Sequence, residues 1–255
     1  MIRAAFFDID GTLISFRTHR VSEGTVRAFD TLHRKGVRTF LSTGRPQVLI
    51  PDLPLSFEAR ITMNGALVFT DSQTLLRNPI PIDELNAWLD YAKQHGTCTM
   101  VFTEDGMFAS QPNDTAARIR EQIEFPMPEV HEIDDLRQYE VYQIIAIMPP
   151  GCDGEVASLM SHCRLPRWHP AFTDIVAGTN SKAIGMEVVC RHFGIRQEET
   201  LAFGDGGNDI EMLRWAGIGV AMGNAEQVVK DHADLVTASV DDEGIEKTVN
   251  ELFTT

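Results

Sequence analysis

The chain has 255 residues, of which 43% are hydrophobic and 23% charged, and its formal net charge is −15. This composition is typical of a globular protein with one large α/β domain or two smaller ones. The excess of acidic side chains, 37 against 22 basic ones, argues against nucleic acid and anionic membranes as partners. No apolar run approaches the ~20 residues of a membrane-spanning helix, and the N-terminus enters a strand without a signal segment, so we expect a cytoplasmic protein.

The first part of the chain alternates strands with helices. We predict strands at residues 2–8, 37–41 and 60–63, and a helix at 22–35. The first strand is almost unbroken in its apolar character, which indicates burial on both faces. Strands separated by helical stretches favour right-handed crossovers and therefore a parallel sheet.

The pattern changes between residues 81 and 177. The predicted elements of this block are, in chain order, a helix at 82–95, a strand at 98–103, a tight turn at Asp105-Gly106, a helix at 113–123, a strand at 141–148, a helix at 153–163 and a strand at 172–177. This order favours an α+β unit with an antiparallel sheet. We expect the block to be an inserted second domain, entered near residues 79–82 and left near residues 177–181.

From Lys182 the alternating pattern resumes. The remaining predicted elements are helices at 182–193, near Trp215, at 225–232 and at 242–252, and strands at 200–203, 218–221 and 234–237. The sequence therefore predicts an α/β fold. Its doubly wound, parallel-sheet, Rossmann-like core comprises residues 1–80 and 178–255, and the inserted α+β cap comprises residues 81–177.

Four cysteines are spread along the chain, at positions 98, 152, 163 and 190, with no Cys-x-x-Cys pair among them. This spacing argues against a structural zinc site and against a disulfide framework. Cys163 and Cys190 fall within predicted helices, where we expect buried free thiols.

Two carboxylates, Asp8 and Asp10, follow the first buried strand. Open α/β sheets place their active sites at the carboxyl ends of parallel strands, and Gly11 permits a sharp turn there. Two acids this close repel each other unless a cation screens them. The pair therefore indicates a metal site, a nucleophile beside a proton donor, or both. A calcium-binding loop is excluded, because apolar residues follow and its twelfth position is His19.

Polar residues also follow two other predicted strands. Thr43 and the Gly44 amide can donate hydrogen bonds to phosphate oxygens, although Thr43 alone could equally be a helix cap. The glycine-rich loop from Gly204 to Asp209 carries two carboxylates that can complete an octahedral magnesium site. Lys182, considered alone, is expected to be solvated, because a helix N-terminus does not favour a cation.

Taken together, these segments resemble the motifs of a known family. Residues 8–12, 42–45, 64–65, 182 and 204–209 match, in order, the motifs of the haloacid dehalogenase-like (HAD) superfamily. The position of the inserted domain between the second and third motifs resembles the cap of the Cof-type (IIB) sugar-phosphate phosphatases, and the stretches 63–66 and 221–225 resemble that branch too. The resemblance implies that this cap sets substrate specificity, and the candidate residues are Arg167 and His169 first, then Trp168 and Asp174. One departure is that Lys182 is followed by Ala183, where that branch often has glycine.

The resemblance implies a phosphoric monoester hydrolase that uses Mg²⁺ and acts on small phosphorylated metabolites, sugar phosphates first among them. It implies that Asp8 attacks phosphorus to form an aspartyl-phosphate, and that Asp10 protonates the leaving group and then activates water. The implied metal ligands are Asp8, the Asp10 backbone carbonyl, Asp205 and Asp209. The implied phosphate-binding and substrate-binding residues are Thr43, Gly44, Arg45, Asn64, Lys182 and Asn208.

Three alternatives remain open from the sequence. A phosphosugar mutase would return the phosphoryl group to a sugar rather than to water. A phosphatase could instead act on nucleotide or cofactor phosphates. A non-catalytic sensor of phosphate ligands is a weaker hypothesis, because a binding module needs neither the nucleophile nor the acid. The expected partner is a small phosphate ester, and the sequence does not indicate an oligomeric state.

Overall fold

Fourteen strands and seven helices are described in the computed structural model, which covers residues 1–116, 128–167 and 169–253. The strands are β1 (Ala4–Phe7), β2 (Arg38–Ser42), β3 (Ala59–Thr62), β4 (Leu67–Phe69), β5 (Thr74–Arg77), β6 (Thr99–Phe102), β7 (Met107–Ala109), β8 (Glu129–Val130), β9 (Gln143–Ala146), β10 (Cys163–Arg164), β11 (Thr173–Ala177), β12 (Thr200–Gly204), β13 (Ile218–Ala221) and β14 (Leu235–Val236). The helices are α1 (Glu23–Arg34), α2 (Ile82–His95), α3 (Asp153–Leu159), α4 (Lys182–Phe193), α5 (Ile210–Trp215), α6 (Gln227–Lys230) and α7 (Gly244–Phe253).

The chain divides into two units. The first comprises Met1–Arg45, Ile50–Arg77 and Ser181–Thr255, and the second comprises Pro46–Leu49 and Asn78–Asn180.

The first unit contains an eight-stranded sheet in the order β14-β13-β12-β1-β2-β3-β4-β5. The pairs from β14 to β3 are parallel, which confirms the predicted doubly wound α/β fold. Strand β1 lies in the middle and all four of its residues are buried. Phe7 stacks on Phe203 of β12 on one face, and Phe6 stacks on Phe40 of β2 on the other. Two apolar layers thus hold β1 in place, as its composition predicts.

Strands β4 and β5 were not predicted, and they pair antiparallel at one edge of this sheet. The chain reverses after β3 through Met63, Asn64 and Gly65, which all have positive φ. Gly65 adopts this conformation without strain, whereas Met63 does not. The sheet is therefore mixed rather than wholly parallel.

The second unit contains a six-stranded sheet in the order β10-β11-β9-β6-β7-β8. Its pairs are antiparallel except for β7 with β8, and the hairpin at Asp105-Gly106 joins β6 to β7 as predicted. The apolar faces of α2 and α3 pack on this sheet in a single cluster that includes Trp88, Val101, Ile144 and Val156.

Neither of two helices predicted for this unit is confirmed over its full length. The predicted helix at 113–123 falls largely outside the described residues. The predicted helix at 153–163 ends at Leu159, and Cys163 lies in β10, partly buried, rather than in a helix. In the first unit, Cys190 is a buried free thiol in α4, as predicted.

Within the described ranges, none of the helices combines the length and apolar character needed to cross a membrane.

Candidate active site

The predicted site residues of the first unit follow neighbouring parallel strands. Asp8 follows β1, Thr43 follows β2, and Asp205 follows β12. Because β1 pairs with both β2 and β12 in parallel, the carboxyl ends of the three strands lie at the same edge of the sheet. The topology therefore places these residues together although they are far apart in sequence.

Three carboxylates form a cluster at this edge. One oxygen each from Asp8, Asp205 and Asp209 lies within 4.8 Å of the other two. Asp8 and Asp209 are buried, and Asp205 is half-buried. Asp209 is fixed by its own loop, since its Oδ2 accepts the Asp205 and Gly206 N–H groups at 3.0 and 2.9 Å. The glycine-rich loop is thus a built carboxylate site rather than a surface turn.

Lys182 joins two of these acids from inside the protein. Its side chain is 0% exposed, and Nζ donates to Asp8 Oδ1 at 2.5 Å and to Asp209 Oδ1 at 2.6 Å. The expectation of a solvated Lys182 is therefore wrong. The lysine begins α4, where the Ser181 hydroxyl caps the helix by accepting the Ile184 N–H. The attraction of the two carboxylates outweighs the cost of placing a cation at a helix N-terminus. The residues next to Lys182 in the sequence do not indicate these distant partners.

The crowding changes the ionisation of this cluster. Burial raises the pKa of Asp8 to about 8, and the charges of Asp209 and Asp205 add to this against the attraction of Lys182. Burial and the Asp209 charge raise the pKa of Asp205 to about 6. Lys182 is buried as well, but Asp209 and Asp8 raise its pKa above the ordinary value. One ammonium group thus leaves negative charge in the cluster uncompensated.

The uncompensated negative charge of this cluster suits a divalent cation, which is the cofactor that the resemblance implies. The donor set consists of carboxylate oxygens, which are the ligands that Mg²⁺ prefers. A bound cation would favour the ionised acids, whose pKa values burial and mutual repulsion raise. The cluster fits Mg²⁺ on both counts.

Asp10 is engaged by an arginine rather than by the acidic cluster. Arg45 Nε and Nη2 donate to its two carboxylate oxygens at 2.8 and 2.7 Å, in a bidentate pair. The pair raises the pKa of Arg45 above its ordinary value, chiefly through its hydrogen bond to Asp10. Arg45 is therefore placed on the proposed general acid, whereas the sequence prediction assigned it to substrate.

The remaining predicted binding residues lie near one another. Thr43 is buried, and its hydroxyl accepts the Arg45 N–H at 3.0 Å. Asn208 Nδ2 donates to Asn64 Oδ1 at 2.9 Å. A Cβ added at Gly44 would lie 3.2 to 3.3 Å from the side chains of Asn64 and Asn208. The loops after β2, β3 and β12 thus bring all these polar groups to one place.

Sequence reasoning gave no role to two residues that hold Asp205. Thr12 Oγ1 donates to Asp205 Oδ1 at 3.3 Å, and Asn224 Nδ2 donates to Asp205 Oδ2 at 3.0 Å. Thr12 stands within the first motif, and Asn224 lies in the stretch 221–225 that resembles the Cof-type branch. That stretch was the available signal, but it carried no chemistry by itself.

Arg167, a candidate for specificity, is occupied within the second unit. Its guanidinium pairs with both Asp153 oxygens and donates to the carbonyls of Met148 and Phe172. These contacts brace loops of that unit to one another. They favour a structural role for Arg167 over contact with a substrate.

Comparison with known proteins assigns the chain to a family. A model of haloacid dehalogenase-like hydrolases matches residues 5–249. The chain belongs to this family. The expected family is thereby confirmed, and the prediction of a phosphatase is confirmed at the level of enzyme class.

Relatives match along nearly the whole chain. The Bacillus subtilis protein YkrA is 32% identical over 251 residues, which cover 97% of this chain and 96% of that protein. A Streptococcus pyogenes protein named as a bifunctional phosphatase/peptidyl-prolyl cis-trans isomerase is 32% identical over 256 residues. The match covers 98% of this chain but 54% of that longer protein, so the chain spans about half of its length.

Solved structures share the complete fold. The HAD subclass IIB sugar phosphatase BT4131 is 38% identical with a TM-score of 0.86, and the match covers 98% of each chain. The phosphatase BT1666 from Bacteroides thetaiotaomicron is 32% identical with a TM-score of 0.90, and the match covers 100% of this chain and 96% of that one.

Proposed function

We propose that this protein is a magnesium-dependent phosphatase that hydrolyses small phosphorylated metabolites, sugar phosphates first among them, through an aspartyl-phosphate. The observation that carries the proposal is the buried arrangement of Asp8 and Asp209 on Lys182, with Asp205 beside them. A buried lysine paired with two acids can be stable without a ligand. A third carboxylate within 4.8 Å of them adds negative charge that a purely structural ion pair avoids. Similarity to the sugar phosphatase BT4131 supports the substrate class.

Asp8 is the nucleophile in this proposal. Lys182 holds Asp8 Oδ1, so Oδ2 is the oxygen that forms the bond to phosphorus. The bond from phosphorus to the ester oxygen breaks, and the leaving alkoxide takes a proton from Asp10. Asp10 then removes a proton from the water that attacks the aspartyl-phosphate, which releases inorganic phosphate and restores Asp8.

The remaining residues bind and orient the phosphoryl group. Transfer of a phosphoryl group depends mainly on positioning and on charge stabilisation. The donors assigned to this task are the Thr43 hydroxyl, the Gly44 amide, the Lys182 ammonium and the side-chain amides of Asn64 and Asn208. Asp8, the Asp10 carbonyl and Asp205 would hold Mg²⁺, with Asp209 orienting its surroundings, and the bound ion supplies positive charge for the phosphate oxygens.

A second candidate substrate class comes from other relatives. Two Bacillus subtilis proteins, YitU and YcsE, are named 5-amino-6-(5-phospho-D-ribitylamino)uracil phosphatases and are 25% and 26% identical to this chain. Their named substrate carries its phosphate on a ribityl chain, which is chemically close to an acyclic sugar phosphate. Phosphorylated cofactor precursors therefore belong beside sugar phosphates among the candidates.

We further propose that residues 81–177 select the organic part of the substrate. The first unit supplies the nucleophile, the acid and the phosphate donors, and none of these groups recognises an organic moiety. The second unit has its own apolar core and sheet, so its surface can vary without disturbing the catalytic residues.

The test is a phosphate-release assay on the purified protein. The panel contains sugar phosphates, nucleotides, cofactor precursors and an aryl phosphate, each with Mg²⁺ and with excess chelator. We expect magnesium-dependent release that the Asp8→Asn variant lacks, because an amide of the same shape cannot attack phosphorus. Turnover by Asp8→Asn, or full activity in chelator, would contradict the mechanism. Identification of the product distinguishes hydrolysis from the mutase reaction.

A further inference from the structure

The Asp205 carboxylate is held at both of its oxygens. Thr12 Oγ1 donates to Oδ1 at 3.3 Å and Asn224 Nδ2 donates to Oδ2 at 3.0 Å. These two donors come from different loops, one directly after the nucleophile and the other after β13. Asp205 itself follows β12 in a glycine-rich loop, where a carboxylate without partners would sample several orientations.

Asn224 also connects the loops around this carboxylate. Its Nδ2 donates to the Gly11 carbonyl at 2.9 Å, and its Oδ1 accepts the Val240 N–H at 3.0 Å. Gly11 has a φ of +80°, and a Cβ added there would lie 2.0 Å from Asp205 Oδ2. The Asp205 carboxylate therefore packs directly against the Gly11 backbone in the turn that follows Asp8, and the Asn224 amide donates to it.

We propose that Asn224 and Thr12 are positioning residues that hold the Asp205 carboxylate in the orientation in which it binds a divalent cation. The inference rests on the proposed function only in taking Asp205 as a ligand. Groups that hydrogen-bond to a metal ligand fix its orientation before the metal arrives, and their loss typically weakens metal affinity by roughly 10- to 100-fold. Neither residue is among the proposed phosphate-binding groups, so both act through Asp205.

Binding of Mg²⁺ alone, measured by titration calorimetry, tests the inference without turnover. The variants are Asn224→Ala, which removes the donor to Oδ2, and Thr12→Val, which removes the donor to Oδ1 with little change of shape. We expect each to lower Mg²⁺ affinity by roughly 10- to 100-fold. In the phosphate-release assay, kcat should recover at saturating Mg²⁺, because the reacting groups remain in place.

The matched control is Asp241→Ala. Asp241 accepts from Ser15 Oγ at 2.7 Å and from Arg17 at 3.2 Å, so it ties the segment after Val240 to the loop after β1 without contacting Asp205. If Asn224 served only to anchor loops, this variant would weaken Mg²⁺ binding as much as Asn224→Ala does. We expect it to leave Mg²⁺ affinity within about twofold of the unmodified protein, well short of the loss on removing a group that holds a ligand.

The outcomes separate the inference from the proposed function. Unchanged Mg²⁺ affinity in both positioning variants, or an equal loss in Asp241→Ala, overturns the inference, whereas absent phosphate release by the unmodified protein overturns the function. If Asn224→Ala loses cooperative thermal unfolding, Thr12→Val alone decides. An unmodified protein that binds no Mg²⁺ overturns the inference even if it hydrolyses phosphate esters.

Discussion

Lys182 has an energetic role that is separable from any catalytic one. Its ammonium lies between two buried carboxylates, so its removal would leave Asp8 and Asp209 facing each other without compensation. We predict that Lys182→Met lowers the free energy of unfolding of the metal-free protein by ~3–5 kcal/mol, the cost of breaking a buried ion pair on one side. Urea denaturation measures this value.

A surface lysine provides the comparison for that prediction. Lys93 pairs with Asp134 at 2.5 Å, but both side chains are more than half exposed. Lys93→Met should change the free energy of unfolding much less than Lys182→Met does, because water screens the exposed pair. Equal effects of the two substitutions would mean that burial does not strengthen the pairing of Lys182.

Arg45 has two assignments that kinetics can distinguish. The sequence prediction has it binding the substrate, whereas the structure pairs it with both oxygens of Asp10. If Arg45 acts by orienting Asp10, then Arg45→Gln should lower kcat/KM for alkyl phosphates, whose leaving alkoxide needs a proton. General acid catalysis contributes typically ~10²–10⁴-fold, which sets the upper limit of the loss.

An aryl phosphate with an acidic phenol is the matched substrate for this test. Its leaving group departs without protonation, so Arg45→Gln should have a much smaller effect on its kcat/KM. The measurement is the ratio of the two losses in one variant. A similar loss for both substrates would assign Arg45 to the phosphoryl group instead.

At the scale of elements, the turn after β3 positions the helix that carries Lys182. Gly65 has a φ of +91°, and a Cβ added there would lie 2.1 Å from the Ser181 carbonyl oxygen. Because that neighbour is backbone at the start of α4, it cannot move without shifting Lys182. We predict that Gly65→Ala lowers the free energy of unfolding by more than the ~1–2 kcal/mol of left-handed strain alone.

Gly194, at the other end of α4, isolates the strain from the contact. It also has a positive φ, of +62°, but a Cβ there would meet nothing within 4 Å. Gly194→Ala should therefore show only the cost of the left-handed conformation, about 1–2 kcal/mol in urea denaturation. If Gly65→Ala lowers the free energy of unfolding by no more than Gly194→Ala does, the turn does not position α4.

The order of strands and helices could be predicted from sequence wherever periodicity and boundary residues agreed. Helix α2 has the predicted bounds, Ile82–His95, because an apolar stripe ends at Gly96 in the left-handed conformation. Strands β4 and β5 were not predicted, since they are short and follow a turn in which Met63 has a positive φ. The sequence gives no reason to expect that conformation at a methionine. Long, periodic segments were thus predictable, and edge strands made by a special turn were not.

The same limit applies to the site. Asp8, Asp205 and Asp209 could be proposed as a metal site because they follow predicted strands of one parallel sheet and match the motifs of a known family. The burial of Lys182 could not, since its partners lie 174 and 27 residues away in sequence. The role of Asn224 could not be predicted either, because its contacts to Gly11 and Asp205 form only when β12, β1 and β13 lie side by side.

At the scale of the whole molecule, the acidic cluster couples stability to pH and to metal. The pKa of Asp8 is raised to about 8 and that of Asp205 to about 6, both above the value of roughly 3.9 for an unfolded aspartate. The folded state therefore retains protons that the unfolded state releases. This contribution is complete below about pH 4 and is lost as pH rises through the two folded-state values.

We therefore predict that the metal-free protein loses stability relative to Asp8→Asn as pH rises from about 5 to about 8, because the asparagine side chain does not titrate. Added Mg²⁺ should reverse the trend, since the ion binds the ionised carboxylates and its stabilisation grows as they lose protons. The measurement is the free energy of unfolding in urea across this range, with chelator and with Mg²⁺, for both proteins. Parallel pH profiles for the two metal-free proteins would mean that Asp8 keeps an ordinary pKa. A magnesium effect that does not grow with pH would mean that the ion binds elsewhere.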